Sequence, residues 1–174
     1  ADDSAAAERI QATIRGLFGI GSRRYERRVE AVAADLASPG LGLPAARREA
    51  IAERVDTIIH SAASVSFSLP LSAARAINLE GTRRILELAE LAHERGGLER
   101  YAHISTAYVS GTHAGRFHEC DHDVEQTFRN AYEQSKFEAE RLVRSSDLPT
   151  TILRPSIVVG DRRSGWTSAF NVLY

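Results

Sequence analysis

Cysteine is all but missing from this 174-residue chain: Cys120 stands alone, so no disulfide can close within it. That suits a reducing compartment, and the cytoplasm is the expected location. An excess of charge of one sign is missing too. Lys and Arg number 22 against 23 Asp and Glu, a net charge of -1. Nothing here resembles a nucleic-acid surface or a polybasic membrane patch. No apolar run approaches the roughly 18 residues that span a bilayer. Ala1-Asp2-Asp3 is acidic where a secretory leader carries a basic region, so no signal peptide is expected. Internal repeats and low-complexity segments are also lacking. What remains is 43% hydrophobic and 26% charged. That is ordinary globular composition, with enough residues for one domain with a real core.

Periodicity divides the chain into alternating elements. Ser4–Phe18 reads as a helix capped by Ser4 and stopped by Gly19 and Gly21. Arg28–Leu36 alternates apolar and polar and then turns small and apolar, which predicts a buried strand ending near Asp35. Pro39-Gly40 turns the chain, and Pro44 opens a short helix to Arg54. Val55–Ala63 predicts an interior parallel strand, Leu71–Arg95 a long helix ended by Gly96-Gly97, and Leu98–Thr106 another strand. A polar loop leads to a helix from Ala131 to about Ser145. Leu148–Ile157 predicts the last strand, and Trp166–Tyr174 the start of something helical. This alternation argues an α/β layered fold with a parallel sheet. Ligands of such sheets sit at the carboxyl ends of the strands, so the residues that follow each strand matter most.

Tyr132 and Lys136 lie four apart, which on a helix stacks them on one face. A free phenol, with a pKa of about 10, is a poor acid or base at neutral pH. A neighbouring ammonium favours phenolate. Reaching about 7 would take roughly 4 kcal/mol, more than one lysine supplies in water, so a second positive charge or a dry pocket is needed. On many surface helices the same spacing is only a solvated contact.

Read together, the strand ends and this pair resemble the extended short-chain dehydrogenase/reductase superfamily. The matching segments are Asp35-Leu36, His60-Ser61-Ala62-Ala63, Asn78-Leu79-Glu80-Gly81-Thr82, Ser105-Thr106-Ala107-Tyr108-Val109-Ser110-Gly111, Tyr132-x-x-x-Lys136, and Arg154-Pro155 with Gly160. They come in family order between Val32 and Trp166. Ser64-Val65-Ser66-Phe67 and Arg154-Pro155-Ser156-Ile157-Val158 narrow the likeness to the thioester-reductase and fatty acyl-CoA reductase branch, the male-sterility-like group.

The resemblance implies a Rossmann-like doubly wound sheet and catalysis by Thr106, Tyr132 and Lys136. It implies cofactor contacts at Asp35, Leu36, Ser61, Ala62, Ala63, Asn78, Ser105, Tyr132, Lys136, Pro155, Ser156 and Ile157. NADPH is the expected cofactor, with NADH as the alternative. The expected reaction is reduction of an acyl thioester, on CoA or a phosphopantetheine carrier, to aldehyde or alcohol. A sugar epimerase, dehydratase or hydroxysteroid dehydrogenase of the same superfamily is the alternative, and Phe67 and the R-P-S-I strand argue mildly against it. A non-catalytic dinucleotide-sensing module is a third reading; such relatives usually lose the Tyr or Lys, and both stand here.

One departure is plain. The family opens on a strand and a G-x-x-G-x-x-G turn whose N–H groups hold pyrophosphate. Gly16, Gly19 and Gly21 follow a helix instead, so they are not that turn. The expectation is an incomplete domain over 1–174, lacking the first two strands and the substrate-binding part and inactive by itself. In the family's strand order the missing pair lies between the Val32 strand and the Val55 strand. The latter should therefore form a contiguous three-stranded sheet with Leu98–Thr106 and Leu148–Pro155. The Val32 strand should stand apart by roughly 14 Å, at about 4.8 Å per strand.

Other polar residues carry weaker signals. His60 ends an apolar run and reads as structural rather than as a ligand. Asn78 either faces solvent or supports the backbone near the site. His113, His118, Cys120, His122 and Asp123 fit no zinc spacing, so no metal is expected. Arg162-Arg163 could meet a CoA phosphate or be a solvated pair.

Overall fold

The structure, a computed structural model, describes residues 2–163 and 165. The helical start expected at Trp166–Tyr174 lies outside the described residues. Helix α1 spans Asp3–Phe18, and α2 is a single turn at Arg23–Glu26. They are followed by α3 (Ala45–Ala52), β1 (Thr57–His60), α4 (Leu71–Arg95), β2 (Arg100–Ile104), α5 (Ala131–Arg144) and β3 (Thr150–Leu153). The strands form one parallel sheet in the order β1-β2-β3, with His60 opposite His103 and Ile104 opposite Leu153. This is the contiguous sheet expected. β2 extends its pairing past β3, since Tyr101 N–H donates to Pro149 O and Ala107 N–H to Pro155 O. The prolines at 149 and 155 have no N–H to return, which keeps β3 short.

Helices α4 and α5 lie together against the sheet. Ala74, Asn78, Gly81, Leu86, Ala89 and Ala92 recur at helical spacing on the buried face of α4. The main cluster joins Leu86, Ala89 and Ala92 to Ala52 of α3, Leu98, Tyr101 of β2, Val143 of α5 and Leu148. Pro70 and Gly96 bound α4, with His93 and Arg95 in its last turn, where cations suit the helix dipole. The opposite sheet face is more open: Ile59 is 68% exposed and Leu153 48%. β1 was expected to be interior. It is an edge strand, because among the described residues nothing pairs with its other side.

Residues 28–36 depart further from expectation. No strand forms there, and the segment is exposed or half-buried. Its alternation suited a strand, but a strand needs a partner for its N–H and C=O groups, and none lies beside it. Instead the Ala33 N–H donates to the Asp3 carboxylate at 2.8 Å, and the Asp35 N–H donates to Leu41 O at 2.9 Å. Asp3 also holds Arg47 of α3 at 2.6 Å, so α1, this segment and α3 meet on one carboxylate. The cap of α1 is Asp2, not Ser4: Asp2 Oδ1 accepts from the Ser4 N–H at 2.9 Å. Pro44 likewise sits just outside α3, as its cap.

Gly111 closes the short 3-10 turn Ala107–Ser110 with φ +53, and a Cβ there would fall onto the Thr127 carbonyl. Side chains rarely adopt that φ, and here there is no room either. Gly111→Ala is expected to lower unfolding stability by about 2 kcal/mol or more. Denaturant melts of the wild-type and variant protein would check it.

Candidate active site

The carboxyl ends of β1, β2 and β3 lie side by side, and the polar stripe of α5 crosses behind them. Asn130 caps α5 by accepting from the Glu133 N–H at 2.9 Å, and Glu133 accepts in return from the Arg129 N–H at 3.0 Å. With its start pinned, α5 turns Tyr132, Lys136 and Glu140 inward at successive turns, and all three are buried.

Lys136 Nζ donates to the Ile104 carbonyl, the last of β2, at 2.7 Å. The Tyr132 phenol lies close enough to the Thr106 hydroxyl, two residues beyond Ile104, for that hydroxyl to influence its titration. Thr106, Tyr132 and Lys136 therefore come together at one strand end. Thr106 Oγ1 also caps the following turn, accepting from the Tyr108 N–H at 3.3 Å. Phe67, in the loop after β1, stands with its ring centroid 5.4 Å from Tyr132 and 6.1 Å from Tyr108. Phe67 thus stands between the Tyr108 ring and the phenol of Tyr132.

The electrostatics run opposite to the expectation for the phenol. Burial raises the Tyr132 pKa; the nearby Thr106 hydroxyl offsets this in part, and Tyr108 raises it further. Burial likewise lowers Lys136 to about 8, with Glu140 resisting. The dry pocket required by the sequence argument is present. Dryness disfavours every charged form, however, so it keeps the phenol protonated instead of acidifying it.

Ser61 and Ala62 follow β1 directly and are exposed, with Ala63 half-buried. Pro155, Ser156 and Ile157 follow β3 and are exposed, Pro155 bonding back to Ala107 beside Thr106. These groups share one edge with the triad. Asn78 and Ser105 lie behind that edge. Asn78 accepts from Ser64 N–H at 2.8 Å and donates to Ser64 O and Ser135 Oγ, holding the loop after β1 onto α4 and α5. Ser105 gives its hydroxyl to Glu140 at 2.6 Å. Asp35 and Leu36 do not join the edge by any contact among the described residues. The Asp35 carboxylate accepts from Ala37 N–H and Ser38 Oγ, Leu36 packs over Gly81 of α4, and Arg84 donates to the Leu36 carbonyl.

His60 is buried and bonded to Thr82 at 3.0 Å, a structural role as expected. His103 carried no sequence signal, yet it is fully buried, 5.5 Å from His60 between ring centroids, with neither ring nitrogen partnered. The loop histidines go separate ways: His122 stacks on Phe137 at 4.3 Å and His113 meets Phe117 at 5.7 Å. Among the described residues no three His, Cys, Asp or Glu side chains are placed to hold a metal, and no helix is long and apolar enough to cross a membrane.

A family model for male sterility proteins, a class of NAD-binding domain, matches residues 1–174. The chain belongs to the male sterility protein family. It is 34% identical over 173 residues to the fatty acyl-CoA reductase wat of Drosophila melanogaster, covering 82% of this chain and 33% of that protein. It is 30% identical to the glycine betaine reductase ATRR of Emericella nidulans, covering 99% of this chain and 14% of that one. The chain therefore spans a third or less of these relatives. Among solved structures, the terminal R domain of the myxalamid PKS-NRPS pathway superposes with a TM-score of 0.77 at 30% identity, over 96% of this chain and 43% of that one. A UDP-glucuronic acid 4-epimerase from Bacillus cereus shares the fold at 24% identity and a TM-score of 0.55, over 72% of this chain and 39% of that one. The fold of this family member is thus the expected Rossmann-like parallel sheet, incomplete in this chain.

The two buried histidines generate a pH prediction. Burial pushes His60 from 6.5 to about 4 and His103 from 6.5 to about 3, and the Lys136 charge adds to both shifts. Between those values and 6.5 the unfolded chain binds more protons than the native one, so stability falls as pH drops through the window. The expected slope is up to about 1.4 kcal/mol per pH unit for each histidine. Urea melts at stepped pH would show it, and His103→Leu should flatten part of the slope.

Proposed function

We propose that this site reduces acyl thioesters, carried on CoA or on a phosphopantetheine protein, to an aldehyde or alcohol, with NADPH as the preferred cofactor. The observation that carries this reading is that Tyr132 and Thr106 come together at the end of β2, with the buried Lys136 ammonium one helical turn along α5 bonded to the Ile104 carbonyl. The names of the relatives agree with it, and Phe67 and Tyr108 offer an apolar lip suited to an acyl chain.

The residues present fit the nicotinamide-ribose half of such a cofactor. Lys136 has three N–H donors, and its bond to Ile104 uses one. The backbone at Ser61, Ala62 and half-buried Ala63, and at exposed Pro155, Ser156 and Ile157, would line the cofactor along the sheet edge. Asn78 and Ser105 support that edge from behind. When bound, the cofactor supplies the hydride.

The protein's own part is to receive the charge that develops on the substrate oxygen. Tyr132, kept protonated by burial, donates to that oxygen, and the Thr106 hydroxyl donates beside it. Lys136 would hold the ribose with its remaining N–H donors, one helical turn from the phenol. Reduction needs a proton donor, so a phenol whose pKa is raised is in the correct state for it.

In the full-length enzyme, Tyr132→Phe should lower kcat about 100-fold or more, in the range lost with a general acid. Thr106→Ala should lower it less, and NADPH affinity should hold within about twofold in both, because neither hydroxyl is a principal cofactor anchor. NADPH oxidation with acyl-CoA and with a carrier-bound acyl thioester, alongside equilibrium cofactor titration, measures each quantity. Turnover unchanged in Tyr132→Phe would remove Tyr132 from the chemistry.

A further inference from the structure

Glu140 is fully buried, and three side chains converge on its carboxylate. Arg154 is bidentate, Nε donating to Oε2 at 3.1 Å and Nη2 to Oε1 at 2.6 Å. Arg144 donates Nε to Oε1 at 2.9 Å, and Ser105 donates Oγ to Oε2 at 2.6 Å. Arg154 then reaches outward, donating to the carbonyls of Asp121 at 2.6 Å and His118 at 3.2 Å, with its guanidinium 5.2 Å from the centroid of the Phe117 ring. A single carboxylate therefore ties together α5, the end of β2, the end of β3 and the 118–121 loop. Two of these ties touch the candidate site directly. Ser105 is the chain neighbour of Thr106, and Glu140 lies one turn from Lys136.

We propose that Glu140, clamped by Arg154, is a positioning residue of this site: it holds Thr106 in register with Tyr132 and supplies the counter-charge beside Lys136. The inference rests on the Thr106–Tyr132–Lys136 reading and adds to it. The groups that face Lys136 are Tyr132 and Glu140 on α5, His60 on β1 and His103 on β2. Both histidines are neutral near neutral pH, so among these groups Glu140 is the anion acting on the ammonium. Burial alone would push Glu140 up, but the bonds from Arg154, Ser105 and Arg144 outweigh it and hold the carboxyl at about 2. Glu140 therefore stays charged throughout the working range. Its effect reaches the reacting atoms only through Lys136 and the Ser105–Thr106 backbone.

The test uses the full-length enzyme with NADPH and an acyl-CoA. Glu140→Gln keeps the shape and removes the charge. Its kcat should fall about tenfold or more, while KM for acyl-CoA and Kd for NADPH stay within about twofold, the pattern of lost transition-state alignment. The alkaline limb of kcat/KM, set by Lys136, should move to lower pH, because removing an anion makes the ammonium easier to deprotonate. Glu140→Asp, which keeps the charge, should leave that limb in place.

A folded Glu140→Gln enzyme with wild-type kcat and an unmoved limb overturns the proposal. Where Glu140→Gln does not fold, Ser105→Ala decides. It leaves the Glu140–Arg154 pair whole and should lower kcat about threefold or more, with the limb unmoved. Wild-type kcat in Ser105→Ala would then mark the cluster as structural only and overturn the proposal. Tyr132→Phe separates the two levels. If it is inactive while Glu140→Gln behaves as wild type, only the positioning role falls; if it is fully active, the site reading falls and takes this role with it.

Discussion

An ammonium taken out of water must find acceptors, and Lys136 finds the last carbonyl of β2 at 2.7 Å. That bond joins the helix carrying the phenol to the strand carrying the hydroxyl. Tyr132 lies one turn before Lys136 and Glu140 one turn after, so the same contact sets the whole inner stripe of α5 against residues 104–106. The approach of Tyr132 to Thr106 at one end and the Glu140–Ser105 bond at the other fix the register from both sides. A helix rotated or slid by one residue would lose all three together.

Burial is the common cause behind the electrostatics of this region. It raises Tyr132 and lowers Lys136, His60 and His103, since each of these moves toward its neutral form. Glu140 is the exception: it accepts four hydrogen bonds at once, from Arg154, Arg144 and Ser105, and their sum exceeds the desolvation cost. The result is one firmly held anion behind a group of weakly charged or neutral side chains. In so dry a setting a hydrogen-bond donor aimed at developing charge acts more strongly than it does in water.

Small polar residues make the close packing possible. Asn78 stands where α4 passes α5, and its amide satisfies Ser64 and Ser135 together. Gly81 leaves space for Leu36, and Thr82 answers both His60 and the Asn78 carbonyl. The N-x-x-G-T segment thus serves as the seam between the long helix and its neighbours. Its buried polar groups are satisfied one by one, as a packed interior demands.

Much of the architecture was legible in the sequence because it rests on local rules. The span of α4 followed from its apolar spacing and the glycines after it. The inward stacking of Tyr132 and Lys136 followed from helical geometry, and the parallel sheet from the alternation of elements. Residues 28–36 misled because alternation records only which side chains could face a core. A strand also needs a neighbour to accept its hydrogen bonds, and the sequence does not show which neighbours are present. His103 and the Glu140–Arg154 clamp were illegible in the sequence for a related reason: each gains its role from a residue far away in the chain. The sequence by itself determined the main helices and the alternation of elements, both set by short-range spacing, while the strand order followed from the family resemblance. Tertiary structure alone decided that the phenol is held protonated and that one carboxylate ties four segments together, because both depend on which groups are excluded from water side by side.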